Sequence, residues 1–146
     1  MEKSCCFFGH RDTPESVKPK LTGAIMRLIV ENGVTDFYVG NQGRFDSLVL
    51  SVIKEIAIEF PQIRYTVVLA YLPDDRNAVT DTNTVYPEGL ENVPRRFCIA
   101  RRNDWMIRKA KYVICYVDHI TGGAARFMEK ARRQNKVIVN IALKRP

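Results

Sequence analysis

Short apolar runs alternate with amphipathic stretches along the whole chain, and this alternation limits the fold more than any other feature. Cys5–Phe8 is an apolar run ending at Gly9, readable as a buried strand. Over 14–32, Val17, Leu21, Ala24, Ile25, Leu28 and Ile29 recur at spacings of three and four, which predicts a helix with one buried stripe. Thr13-Pro14 suits its start and Asn32-Gly33 its end. Pro19 is harmless if the regular helix begins near Ser16 and kinks it otherwise. Asp36–Gly40 is a second short strand. Phe45, Leu48, Val49, Val52, Ile53 and Ile56 predict a helix over 44–60, stopped before Pro61. Tyr65–Leu72 is a continuous apolar strand of the kind that parallel sheets bury on both faces. A helix near 96–110, a strand over 112–117, a helix over 123–134 and a strand over 137–142 complete the order.

Strands separated by helices pair in parallel through right-handed crossovers. The predicted fold is therefore α/β: a three-layer Rossmann-like sandwich, with a five-stranded, mainly parallel sheet and helices on both faces. In 146 residues these elements leave no room for a second domain, so 1–146 reads as one unit. Within it, 73–95 is a long loop with Pro73, Pro87, Gly89 and Pro94 and no periodicity, a kind of segment that is usually functional or mobile.

No apolar run approaches the ~20 residues that cross a bilayer. The first residues also lack the long apolar region and small-residue cleavage site of a signal peptide. A cytoplasmic protein without membrane contact is expected. Cys5, Cys6, Cys98 and Cys115 form no CxxC pair, and His10 and His119 stand at no metal-ligand spacing from them. The thiols are thus expected to be buried and reduced, with no metal site and no cofactor. Net charge is −4 over 1–94 and +11 over 95–146, together +7. That asymmetry suggests an anionic partner, either a phosphorylated small molecule or nucleic acid.

In open parallel sheets ligands sit beyond the carboxyl ends of the strands, where strand order reverses. The segments just after Phe8, Gly40, Leu72 and Val117 fall there, and three of them carry glycines. Gly9-His10-Arg11-Asp12 follows the first strand; Arg11 can clamp a phosphate and His10 can donate to one, or the segment is a tight turn with a solvated Arg-Asp pair. Gly40-Asn41-Gln42-Gly43-Arg44-Phe45-Asp46 follows the second strand and resembles a phosphate-cradling turn. Asp46 there either supports exposed amides at the helix start or bonds a ribose hydroxyl. His119-Ile120-Thr121-Gly122-Gly123-Ala124-Ala125 follows the fourth, and its glycines let a ligand press against the next helix. Glu129 lies opposite that helix's apolar stripe, one turn from Arg126 and Arg133, and reads as a solvated ion-pair partner.

The helix at 96–110 carries an anomaly. Cys98, Ile99, Trp105, Met106 and Ala110 share one arc, yet Arg102 falls inside it and Asn103 at its edge. A buried arginine needs a partner, either a carboxylate such as Asp46 or an anionic ligand. Arg95, Arg96, Arg101, Arg108, Lys109 and Lys111 mostly lie off the stripe and read as solvated surface.

FFGHRD, GNQGRFD, RRNDWM and TGGAA, in this order, resemble the SLOG superfamily, and more narrowly its GHR-bearing, YpsA-like branch of bacterial proteins. The resemblance implies a Rossmann-like domain that binds nucleotides or nucleotide-derived ligands. Its pocket would take Gly9, His10 and Arg11, then Gly40 and Asp46, then Arg102 and Asn103, then Gly122 and Gly123; Asn41 and Gly43 belong to the same turn. Two relatives define alternatives. LOG enzymes hydrolyse the N-glycosidic bond of nucleoside 5′-monophosphates with a PGGxGTxxE motif and an upstream arginine. Residues 121–129 keep its two glycines and glutamate spacing, so that activity would rest on Arg102 and Glu129. DNA-processing protein A has a turn resembling 40–46 and binds single-stranded DNA. Here, however, aromatic residues are not interleaved with the arginines as a stacking platform needs. The expected partner is a nucleotide-like small molecule, with nucleic acid as the alternative; self-association is compatible with either.

Overall fold

Cys5 and Phe7 belong to one hydrophobic cluster and Cys6 and Phe8 to another, so the first strand is buried on both faces. Each apolar side chain so buried is worth about 1.5–3 kcal/mol relative to exposure, which makes this strand the centre of the molecule. The structure, a computed structural model, describes residues 2–73 and 83–142. In chain order it contains β1 (Ser4–Gly9), α1 (Lys18–Asn32), β2 (Asp36–Val39), α2 (Gly43–Glu59), β3 (Arg64–Val68), β4 (Thr84–Val85), α3 (Cys98–Lys109), β5 (Tyr112–Tyr116), α4 (Gly123–Arg133) and β6 (Val137–Asn140). The strands form one sheet in the order β4-β3-β2-β1-β5-β6, and every pairing is parallel. Helices α1 and α2 fill one face with Leu21, Ile25, Val49 and Ile53. On the other face, α3 and α4 bring Met106, Ile107, Phe127 and Ala131. This is an α/β three-layer Rossmann-like sandwich.

The sheet has six strands rather than five. The additional strand, β4, lies within the segment expected to be a loop and pairs with β3 through Val67↔Thr84 and Val68↔Val85. Two residues at a sheet edge are too few to show a period, so no sequence pattern marks them. Short 3₁₀ turns at Leu90–Asn92 and Arg95–Phe97 also lie in or beside that segment, and Leu90 packs on Ala70 and Cys98. The part of the expected loop over 74–82 lies outside the described residues. β3 is shorter than the apolar run that predicts it: it ends at Val68, and Leu72 is exposed. Pro19 falls in the first turn of α1, after a 3₁₀ turn over Glu15–Val17, where its missing N–H costs nothing. All four cysteines are buried and free. Among the described residues no helix is long and apolar enough to cross a membrane.

Candidate functional site

Strand order reverses at β1, whose neighbours are β2 on one side and β5 on the other. The segments that leave these three strands are tied together by backbone hydrogen bonds. The His10 amide donates to the Tyr116 carbonyl at 3.4 Å, and the Arg44 amide to the Arg11 carbonyl at 3.1 Å. Between them opens a cavity of about 390 Å³, lined by residues 7–12, Gln42, Asp46, Ile99, Arg102, Asn103, His119, Gly122, Gly123, Ala124 and Phe127. The volume lies in the range of small-molecule sites, and its place is where a parallel sheet positions ligands.

Two glycines make room for the polar floor. A Cβ on Gly9 would lie 2.1 Å from the Phe45 ring, so β1 passes directly over α2. A Cβ on Gly40 would lie 2.6 Å from both Arg102 Nη1 and Asp46 Oδ2. Both charged side chains are buried, Arg102 with only 2% of its surface exposed. The Arg102 Nε donates to Asn103 Oδ1 at 2.7 Å and its Nη1 to the Val68 carbonyl at 2.9 Å. Asp46 Oδ2 accepts from the Gln42 amide at 2.9 Å, at the entrance to α2. Burial raises the Asp46 carboxyl above its ordinary range, against the pull of Arg102 and that amide. Burial likewise lowers the Arg102 guanidinium, which Asp46 partly restores. The arginine that breaks the apolar stripe is thus held by neutral oxygens, with a carboxylate nearby.

At the cavity mouth, residues from the ends of β1 and β5 meet. The rings of His10 and His119 stack at 3.7 Å and 10°. Asp118 lies between their polar edges, its Oδ1 3.3 Å from His10 Nε2 and 2.6 Å from His119 Nδ1. Tyr116 Oη donates to the other carboxylate oxygen, Oδ2, at 3.3 Å. His10 is buried, whereas Asp118 and His119 are half-exposed. Burial and the neighbouring His119 lower the His10 imidazole, against the opposing pull of Asp118 and Asp12.

Of the residues singled out in the sequence, Gly9, His10, Arg11, Asp46, Arg102, Asn103, Gly122 and Gly123 line the cavity. Gly40 stands behind Asp46 and Arg102, and a Cβ on Gly43 would meet Arg11 Cγ at 3.3 Å. Asn41 is off the cavity wall; its Oδ1 is buried without a hydrogen-bond partner among the described residues. Glu129 is elsewhere, in a separate surface depression with Arg126 and Arg132, and it pairs with Arg132 and Arg133 at 3.6 Å each. Sequence reasoning did not select Asp12, Gln42, Ile99, His119 or Phe127, which also line the cavity. Asp12, Gln42 and His119 sit inside the glycine-bearing segments, so the strand-end rule marks them; Ile99 and Phe127 have only the signature of core residues.

No protein-family model matches the sequence, and no curated protein matches it. Among solved structures the chain is similar to DNA processing protein A (DprA) from Streptococcus pneumoniae, with a TM-score of 0.66 and 13% identity. The likeness covers 92% of this chain and 48% of that one, so the chain spans about half the length of this neighbour. What the two share is the fold: this chain has the Rossmann-like α/β architecture found in DNA processing protein A.

Proposed function

We propose that the chain binds a nucleotide-derived or phosphoribosyl anion in the cavity at the carboxyl edge of the sheet. The observation that carries this reading is the convergence of Arg11, Arg102 and the Gly122-Gly123 turn on one cavity at the reversal of strand order. The exposed amides at the start of α4 and Arg11 hold the phosphate. Arg102 supplies a fixed positive charge in the floor, and Asp46 orients it or takes a ribose hydroxyl. Membership of the SLOG superfamily, in its YpsA-like branch, is part of the proposal. The fold shared with DNA processing protein A and the clustering of the four motifs around one cavity support it. A cytoplasmic setting accords with four free, buried thiols.

Phosphoribohydrolase chemistry is the less supported alternative, because it needs Glu129 beside Arg102 and the two stand in different depressions. Nucleic-acid binding has one observation in its favour. Arg95, Arg96, Arg101, Arg108 and Lys109 are all exposed, and two of these arginines lie over aromatic rings, Arg95 over Tyr71 at 4.1 Å and Arg96 over Phe97 at 4.8 Å. Tyr71 comes from beyond β3, so its stack with Arg95 is not visible as interleaving in the sequence, whereas Arg96 and Phe97 are chain neighbours.

Calorimetric titration with AMP, ADP-ribose and NAD tests the leading reading. Saturable one-to-one binding that is weakened in Arg11→Ala, an exposed position, is the expected result. Failure of all three ligands, or unchanged affinity in Arg11→Ala and in a folded Arg102 variant, overturns it. Retention of single-stranded DNA with affinity falling steeply in salt would favour nucleic-acid binding instead.

A further inference from the structure

We propose that His10, Asp118 and His119 form a binding site for one divalent transition-metal ion of borderline softness, zinc being the probe of choice, at the mouth of the cavity. The three donor atoms lie within 4.8 Å of one another, the one such cluster found among the described residues. Bonds of about 2.0–2.1 Å to a tetrahedral ion put its donors about 3.3 Å apart. His10 Nε2 and Asp118 Oδ1 already stand at 3.3 Å.

The local hydrogen bonding fits a cation. His10 Nε2 accepts from the Asp118 amide at 3.2 Å, so it is the unprotonated ring nitrogen, and its single lone pair would exchange that hydrogen bond for the ion. An unprotonated Nε2 makes no hydrogen bond with the carboxylate oxygen 3.3 Å away, and an ion bound by both would replace that bare contact. Asp118 Oδ2 is held by Tyr116 Oη, which fixes the carboxylate with Oδ1 towards both imidazoles, as outer partners of metal ligands commonly do; the ion would replace the 2.6 Å contact of Oδ1 with His119 Nδ1. The His10 backbone is rigid as well, since its carbonyl accepts from both the amide and the hydroxyl of Thr13. His119 is the adjustable ligand. Its half-exposed ring lies flat on His10 and turns out of that stack to aim Nδ1 at the ion. Two imidazoles and one carboxylate suit zinc, nickel or cobalt rather than magnesium or calcium. The remaining coordination positions are filled by water and, on the reading of the cavity given above, by a phosphate oxygen.

Isothermal titration of the metal-free, tag-free full chain with zinc chloride, in the absence of any nucleotide, tests the site apart from the nucleotide reading. One zinc per chain is expected. His119→Ala and Asp118→Asn, both at half-exposed positions that leave the fold intact, each weaken binding at least about tenfold. Tyr116→Phe weakens it by about tenfold through loss of the outer partner. The imidazole NMR signals of His10 and His119 both shift on zinc addition. Absence of saturable binding, equal affinity in His119→Ala, or a thiolate-to-metal absorption in the cobalt-loaded protein, which would place the ion on cysteines, each overturns the proposal.

Discussion

Asp46 and Arg102 reach the same point from different helices and are kept apart by little more than the backbone of Gly40, where a methyl group would lie 2.6 Å from a charged atom of each. Desolvating two such charges costs several kcal/mol per ion, and apolar residues of the same size would often stabilise a fold at least as well. The pair is therefore poorly explained as a stabilising device. It is well explained as the floor of a site that needs a fixed charge, with Val68 and Asn103 holding the guanidinium in place.

The first prediction follows from that spacing. Gly40→Ala forces two anchored side chains apart and lowers stability by about 1–3 kcal/mol, as overpacking does. Gly23→Ala is the control, because nothing lies within 4 Å of a Cβ there and the position is inside α1. It gains about 0.5–1 kcal/mol by restricting the unfolded chain. Urea denaturation of the two variants should move the midpoint in opposite directions. Midpoints that move together would remove Gly40 from its proposed role.

Acidity provides a second measurement. The folded protein binds the Asp46 proton more tightly than the unfolded chain does, because burial raises that carboxyl. Such a group stabilises fully below its ordinary pKa, near 3.8, and the contribution is lost as pH rises through the raised value. Asp46→Asn carries no such dependence. Its stability relative to the parent protein should therefore improve as pH rises from about 4 towards 7, by about 1.4 kcal/mol for each tenfold difference in proton affinity. A relative stability that falls over that range would show that attraction to Arg102 outweighs burial.

Glu129 yields a negative prediction. Its partners Arg132 and Arg133 are exposed, and contacts of 3.6 Å between such groups contribute little. Glu129→Gln should change stability by less than about 0.5 kcal/mol and leave the affinity for AMP or ADP-ribose unchanged. A large loss of affinity in this variant would revive the hydrolase reading, which depends on that carboxylate.

Periodicity made α1 to α4 legible, because each buries a stripe that repeats at 3.6 residues, and short apolar runs marked the five longer strands, which a sheet covered on both sides buries on both faces. It failed for β4, which is two residues long, and for the end of β3, where Leu69 and Ala70 stay buried after the ladder stops. Arg102 was legible for a different reason: one charge in an apolar arc is a local contradiction that only tertiary contacts resolve. The His10–Asp118–His119 cluster was not legible. Its two histidines lie on segments far apart in the chain, and only the pairing of β1 with β5 brings them together.

The last prediction separates what the buried pair does for stability from what it does for binding. Arg102→Met removes the guanidinium but leaves Asp46 in the interior, and the uncompensated charge should cost about 3–5 kcal/mol. Adding Asp46→Leu removes that charge as well. If desolvation dominates, the double variant recovers most of the lost stability, so the two substitutions are strongly non-additive. The recovered protein should still fail to bind AMP or ADP-ribose, because the fixed positive charge of the cavity floor is gone. Denaturation of the parent, both single variants and the double variant gives the coupling, and calorimetry on the double variant gives the binding. A stable double variant that binds as the parent does would show that Arg102 has no part in recognition, and the phosphate would then rest on Arg11 and the Gly122-Gly123 turn alone.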